Sequence, residues 1–94
     1  MNKNFELSES LKLFLQVACN HKVFTLGDRY PVSIRKGYTY SQSIFIYPAR
    51  DYSFFTDSEV MCFISLANGL NLDAFIRTEN GVAVIRICDY RIND

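Results

Sequence analysis

The stretch Glu79-Asn80-Gly81, set between runs of β-forming residues, constrains this chain more than any other segment. Asn-Gly is favoured in a two-residue hairpin loop because both central residues must take positive φ to match the twist of the flanking strands. Such a turn dictates which residues face each other. Ile76 pairs with Ile85 and Ala74 with Ile87 on one side, while Phe75 pairs with Arg86 and Arg77 with Val84 on the other. The first side is apolar throughout and belongs in a core.

A second hairpin precedes it. Val32 and Ile34 alternate with Ser33 and Arg35; beyond Lys36-Gly37, Tyr38, Tyr40, Ile44 and Ile46 alternate with Thr39, Ser41, Ser43, Phe45 and Tyr47. A two-residue turn at Lys36-Gly37 sets Ile34 against Thr39 and mixes the two faces. A three-residue loop, Arg35-Lys36-Gly37, sets Ile34 against Tyr38 and Val32 against Tyr40, with Gly37 at the left-handed position. The second register is therefore expected, with Tyr38 and Tyr40 in the core and Pro48 ending the strand.

Helical spacing marks two segments. Leu7, Leu11, Phe14, Leu15 and Ala18 recur at steps of three and four, with Ser8 as cap and Glu9 at the positive end of the helix dipole. Leu13 and Val17 widen that stripe and predict a helix covered on more than one side. Thr56-Asp57-Ser58-Glu59 is a capping box opening a second helix, whose stripe is Val60, Phe63, Ile64 and Ala67 and whose left-handed C-terminal cap is expected at Gly69. Val23-Phe24-Thr25-Leu26 reads as a short strand, ended by the turn-forming Gly27 to Pro31, and the tail from Tyr90 to Asp94 as frayed.

The expected fold is α+β, in the order α-β-β-β-α-β-β: a small antiparallel sheet of two hairpins plus a short strand, with two helices packed on one face. Its elements fall at about 8–20 (helix), 23–26, 32–35 and 38–47 (strands), 57–68 (helix) and 72–88 (hairpin). All 94 residues are expected to form one domain, since 49% are apolar and eight Phe and six Tyr supply ample core material. No segment is long and apolar enough to span a bilayer, and Met1 to Glu6 is polar, unlike the start of a signal peptide. Cys19, Cys62 and Cys88 are odd in number and widely spaced, which suits reduced thiols and a cytoplasmic location.

Ten Lys and Arg balance ten Asp and Glu, so no net field steers the chain toward nucleic acid or anionic membranes. Three scattered cysteines and one histidine do not have the spacing of a zinc site, and the four glycines read as turns and caps rather than a phosphate loop. No metal and no cofactor are expected. Cys19-Asn20-His21 brings a nucleophile near a base in sequence, but at a helix end where the two point apart and no orienting acid follows. A buried Cys19 beside an exposed His21 is the simpler reading. Arg29, Tyr30, Arg50 and Tyr52 are the residue types of a small metal-independent nuclease, without a spacing that specifies one.

The outer face of the sheet is the candidate contact surface. The two registers place Phe45 and Tyr47 from one hairpin on the same side as Phe75, Arg77, Val84 and Arg86 from the other, contiguous if the hairpins share a sheet. Phe, Tyr and Arg bury large areas and make directional hydrogen bonds, as energetic centres of interfaces do. Phe45, Tyr47, Phe75, Arg77 and Arg86 are thus the expected partner-binding residues. The function expected is that of a small non-enzymatic protein that binds and modulates, or inhibits, another macromolecule, as small accessory proteins of phages and mobile elements do. Its partner is a protein or a second copy of the chain; the same chemistry also suits RNA or single-stranded DNA.

Overall fold

The computed structural model describes residues 8–20, 29–36, 42–49 and 51–89. Two helices, α1 (Glu9–Cys19) and α2 (Asp57–Gly69), accompany four strands, β1 (Val32–Lys36), β2 (Gln42–Ile46), β3 (Asp73–Glu79) and β4 (Val82–Asp89). The strands form one antiparallel sheet in the order β1-β2-β4-β3. The two hairpins therefore share a sheet, joined through β2 and β4. This is the α+β class read from the sequence, with a small antiparallel sheet. The strand expected at 23–26, the positions of Tyr38 and Tyr40, and the tail at 90–94 lie outside the described residues.

The β3–β4 hairpin has the register dictated by its turn: Ile76 faces Ile85, Ala74 faces Ile87, Phe75 faces Arg86 and Arg77 faces Val84. Asn80 and Gly81 take φ of 53° and 80°, the two positive values of a type I′ turn. The first hairpin departs from expectation. Ile34 faces Ile44 and Val32 faces Ile46, with Lys36 opposite Gln42, rather than Ile34 opposite Tyr38. Alternation settles a register only to within an even number of residues, because a shift of two keeps every side chain on its face. The observed pairing wins by extending apolar rows across the sheet, Ile34–Ile44–Ile87–Ala74 and Val32–Ile46–Ile85–Ile76.

Both helices cover these rows. Leu11, Phe14 and Ala18 of α1 and Phe63 and Ala67 of α2 join Ile44, Ile46, Ile85, Ile87 and Leu72 in a single core, with Tyr30 and Phe55 filling it from the loops. Ser8 ties α1 to the sheet: its Oγ accepts from the Leu11 N–H at 3.2 Å, and its own N–H donates to Gln42 Oε1 at 2.7 Å. Leu13 and Val17, expected to widen the buried stripe, are exposed instead, since only one side of α1 meets the core. Among the described residues no helix is long and apolar enough to cross a membrane.

At the end of α2 the left-handed residue lies two positions beyond the one expected. Gly69 is still helical; Leu70 is the cap and Asn71, at φ 61°, is the left-handed residue. The Leu72 N–H donates to the Ala67 carbonyl at 2.9 Å and the Asn71 N–H to Asn68 at 3.1 Å, the paired bonds of a Schellman ending. Leu72 and Ala67 are both buried, so the ending was placed by the need to bring Leu72 into the core. Asn tolerates the left-handed region better than Ala, which pays about 1 kcal/mol there. Asn71→Ala is accordingly expected to lower the unfolding free energy by about 1 kcal/mol and Asn71→Gly to leave it unchanged or higher, as read from urea midpoints.

Candidate interaction surface

The outer face of the sheet carries all five residues singled out from the sequence. Ser33, Phe45, Arg86 and Phe75 form one row across the four strands. Arg77 lies one step along β3, beside Val84, and Tyr47 one step beyond Phe45, its N–H donating to the Pro31 carbonyl at 2.9 Å.

The middle of this row is locked inward. Phe45 is only 6% exposed. Guanidinium groups from the neighbouring strands lie over its ring, Arg35 with Cζ 4.2 Å from the centroid and Arg86 at 5.7 Å. Each is a cation–π contact that also shields the ring from water. Arg35 donates from Nη2 to the Tyr47 hydroxyl at 2.9 Å, and Arg86 from Nε to Ser43 Oγ at 3.0 Å. Ser43 Oγ in turn lies 3.4 Å from Cys88 Sγ. Phe45, expected to be an exposed anchor, is thus a buried support, and Arg86 is a half-buried brace. Arg35 completes the cluster and was missed from sequence, because the shift in the first hairpin is what sets it diagonally beside Phe45.

The open part of the face is β3. Phe75 is 45% exposed on the outer side and Ile76 47% exposed on the helical side. Arg77 extends beside them, its Nη2 3.4 Å from Glu79 Oε2. β3 is an edge strand with a β neighbour only in β4, among the described strands. Its backbone geometry follows from its partner: the Ala83 N–H donates to the Ser53 carbonyl at 2.8 Å, on the side of β4 away from β3. Amides that point toward and away from a partner alternate along an antiparallel pair. Thr78, which faces Ala83, and with it Ile76 and Ala74, therefore turn their N–H and C=O groups toward the open edge.

At the loop between β2 and α2, a cleft of about 170 Å³ is lined by Arg29, Ala49, Tyr52, Phe54, Thr56 and Glu59. Tyr52 and Phe54 stand 64% and 67% exposed at its rim. Glu59 is fully employed in structure: Oε1 accepts from the Thr56 N–H at 2.7 Å, completing the expected capping box, and Oε2 accepts from the Tyr30 hydroxyl. Burial, the bond to Glu59 and the charge of Glu59 push the Tyr30 hydroxyl up to about 12. Burial alone would raise Glu59, but the bonds from Tyr30 and Thr56, with the nearby Arg29, hold it below its ordinary value.

Of the loop residues considered for nuclease chemistry, Tyr30 is a core residue, Arg50 lies outside the described residues, and only Arg29 and Tyr52 border the cleft. Cys19 is exposed rather than buried, since α1 presents its final turn to solvent on that side; His21 lies outside the described residues. Cys62 is half-buried, which pushes its thiol up, and Cys88 is buried. Among the described residues no three His, Cys, Asp or Glu side chains converge as metal ligands would. No family model, no curated protein and no solved structure matches the chain, so a functional reading rests on the residues themselves.

Proposed function

We propose that this chain is a small non-enzymatic interaction protein whose contact surface is the β3 side of its sheet, where it binds either another protein that it modulates or a second copy of itself. The observation that carries this reading is the exposed Phe75 and Arg77 beside a rigid support on the same face, the Arg35–Phe45–Arg86 cluster, whose Arg86 faces Phe75 directly. A half-exposed aromatic held on a locked platform loses little conformational freedom on binding, which is what distinguishes an anchor from a loose surface residue. Affinity capture of the tagged chain from native lysate, with and without nuclease, tests it. A protein should co-purify after nuclease treatment and be lost from Phe75→Ala/Arg77→Ala, with roughly a 30-fold weakening, as expected when hot-spot residues are truncated. Unchanged binding by a folded double variant overturns this assignment.

One observation favours a second reading. Tyr52 and Phe54 at the rim of the cleft, with Arg29 beside them, have the composition of a stacking site for RNA or single-stranded DNA. In that case nuclease abolishes the capture, affinity falls steeply with salt, and Tyr52→Ala/Phe54→Ala, rather than the β3 variant, removes it.

A further inference from the structure

The β3 edge has the features of a strand that pairs with another strand. Seven residues run in unbroken register with β4, without proline or a bulge, and the charges on the strand, Asp73, Arg77 and Glu79, are of both signs and lie on one face, so they can pair across an edge as well as guard it. Its two large apolar side chains, Phe75 and Ile76, are both about half exposed on opposite faces, so α2 leaves the edge open. We infer that β3 pairs antiparallel with β3 of a second copy, about a two-fold axis at Phe75. This rests on the reading of β3 as a contact surface and names its occupant.

Edge geometry and charge select this register. Ala74 and Ile76 point their backbone groups outward, so they form the hydrogen-bonded pairs, Ala74 with the partner's Ile76 and the reverse. Phe75 then meets the partner's Phe75 at a non-hydrogen-bonded position, where side chains approach most closely. Asp73 meets the partner's Arg77 on the same outer face, and Arg77 the partner's Asp73, giving two opposite-charge cross-strand pairs. A two-fold axis one residue further on, at Ile76, sets Asp73 against the partner's Glu79, two like charges. With the axis at Phe75, the row Phe45–Arg86–Phe75 continues without a break into its symmetry copy. The result is one eight-stranded sheet with a doubled aromatic centre.

Sedimentation equilibrium of the native chain and three charge variants tests the pairing and its register together. The native chain should show twice its 10.9 kDa mass at high concentration and low salt. Asp73→Arg alone and Arg77→Asp alone set like charges opposite each other twice per dimer and should weaken association roughly tenfold, whereas Asp73→Arg/Arg77→Asp should restore it. Circular dichroism and urea midpoints confirm that each variant is folded. A monomeric native chain overturns the inference, as does a dimer indifferent to the single changes, or single changes that the double does not rescue. Monomer mass combined with capture of a protein lost in Phe75→Ala/Arg77→Ala removes self-pairing and leaves the proposed function standing.

Discussion

Replacing Phe63 with Ala is expected to remove about 4 kcal/mol of unfolding free energy, the largest loss from any single change considered for this chain. Phe63 is fully buried where α2 meets the sheet. Its ring meets Tyr30 edge-on at 5.4 Å and Phe55 at 6.4 Å, while Tyr30 and Phe55 stack at 6.4 Å. Truncation removes the transfer energy of the ring, leaves a cavity between two aromatic neighbours, and forfeits two oriented ring contacts. A domain of this length holds on the order of 5–14 kcal/mol, so the variant should be close to half unfolded in mild denaturant. Urea unfolding followed by far-ultraviolet circular dichroism measures the effect, and Phe63→Leu, which refills much of the space, should lose less than half as much. A loss below about 1 kcal/mol for the Ala variant would show that the three rings do not pack as one unit.

Glu59→Ala should be the next most damaging change, at about 3 kcal/mol, because one carboxylate serves two structures. Its Oε1 closes the capping box of α2 and its Oε2 accepts from the buried Tyr30 hydroxyl. A hydrogen bond to a charged acceptor is worth about 1.5–3 kcal/mol, and a helix cap about 1. Glu59→Gln keeps one acceptor, for the Thr56 N–H, but sets an NH2 where the second oxygen accepted from Tyr30, so the Tyr30 hydroxyl must accept instead of donate; the expected loss is about 1.5 kcal/mol, between the native chain and Glu59→Ala. The Tyr30→Phe/Glu59→Ala double variant should be less damaged than the two single losses combined, since both remove the same bond.

The pH dependence of stability provides an independent readout of that bond. Glu59 ionises below its ordinary pKa in the folded chain, so its contribution is present above about 4.5 and disappears as pH falls through the lower folded value. Tyr30 is shifted the other way, from 10.0 to about 12, so its contribution is present below 10 and is lost as pH rises toward 12. Unfolding free energy measured from pH 3 to 11.5 should therefore fall at both ends. Tyr30→Phe should remove the part of the alkaline decline due to Tyr30 and shrink the acid one. An unaltered alkaline limb in Tyr30→Phe would contradict the buried pairing.

Proximity in sequence explains which features could be read in advance. The Asn80-Gly81 turn, the capping box at Thr56 and Glu59 and the cap at Ser8 each depend on residues within a few positions of one another, and each is present as expected; of the stripe expected on α2, Phe63 and Ala67 are buried and Val60 packs against the core, whereas Ile64 is only half-buried. The turn alone set every pair of the β3–β4 ladder. Alternation likewise put Phe45, Tyr47, Phe75, Arg77 and Arg86 on one face. Leu13 and Val17 show the limit of such patterns: an apolar residue on a helix records what a core would accept, and α1 meets that core along one side only.

Long-range packing decided the remainder. Alternation within the first hairpin ranks registers by the hairpin's own two faces, whereas the observed register aligns Ile44 and Ile46 with Ile87 and Ile85 of a strand about forty residues away. That shift brought Arg35 over Phe45, and so converted an expected anchor into a buried support. Leu72 drew the left-handed turn past Gly69 to Asn71 for the same reason: the apolar contact at the end of α2 outweighs the small conformational advantage of glycine. Local chemistry thus determined the turns, caps and faces of this protein. Tertiary structure decided which strands are neighbours, which aromatics stay exposed, and hence that β3 lies at an edge with Phe75 exposed, because burial rewards contacts between residues that the chain itself keeps far apart.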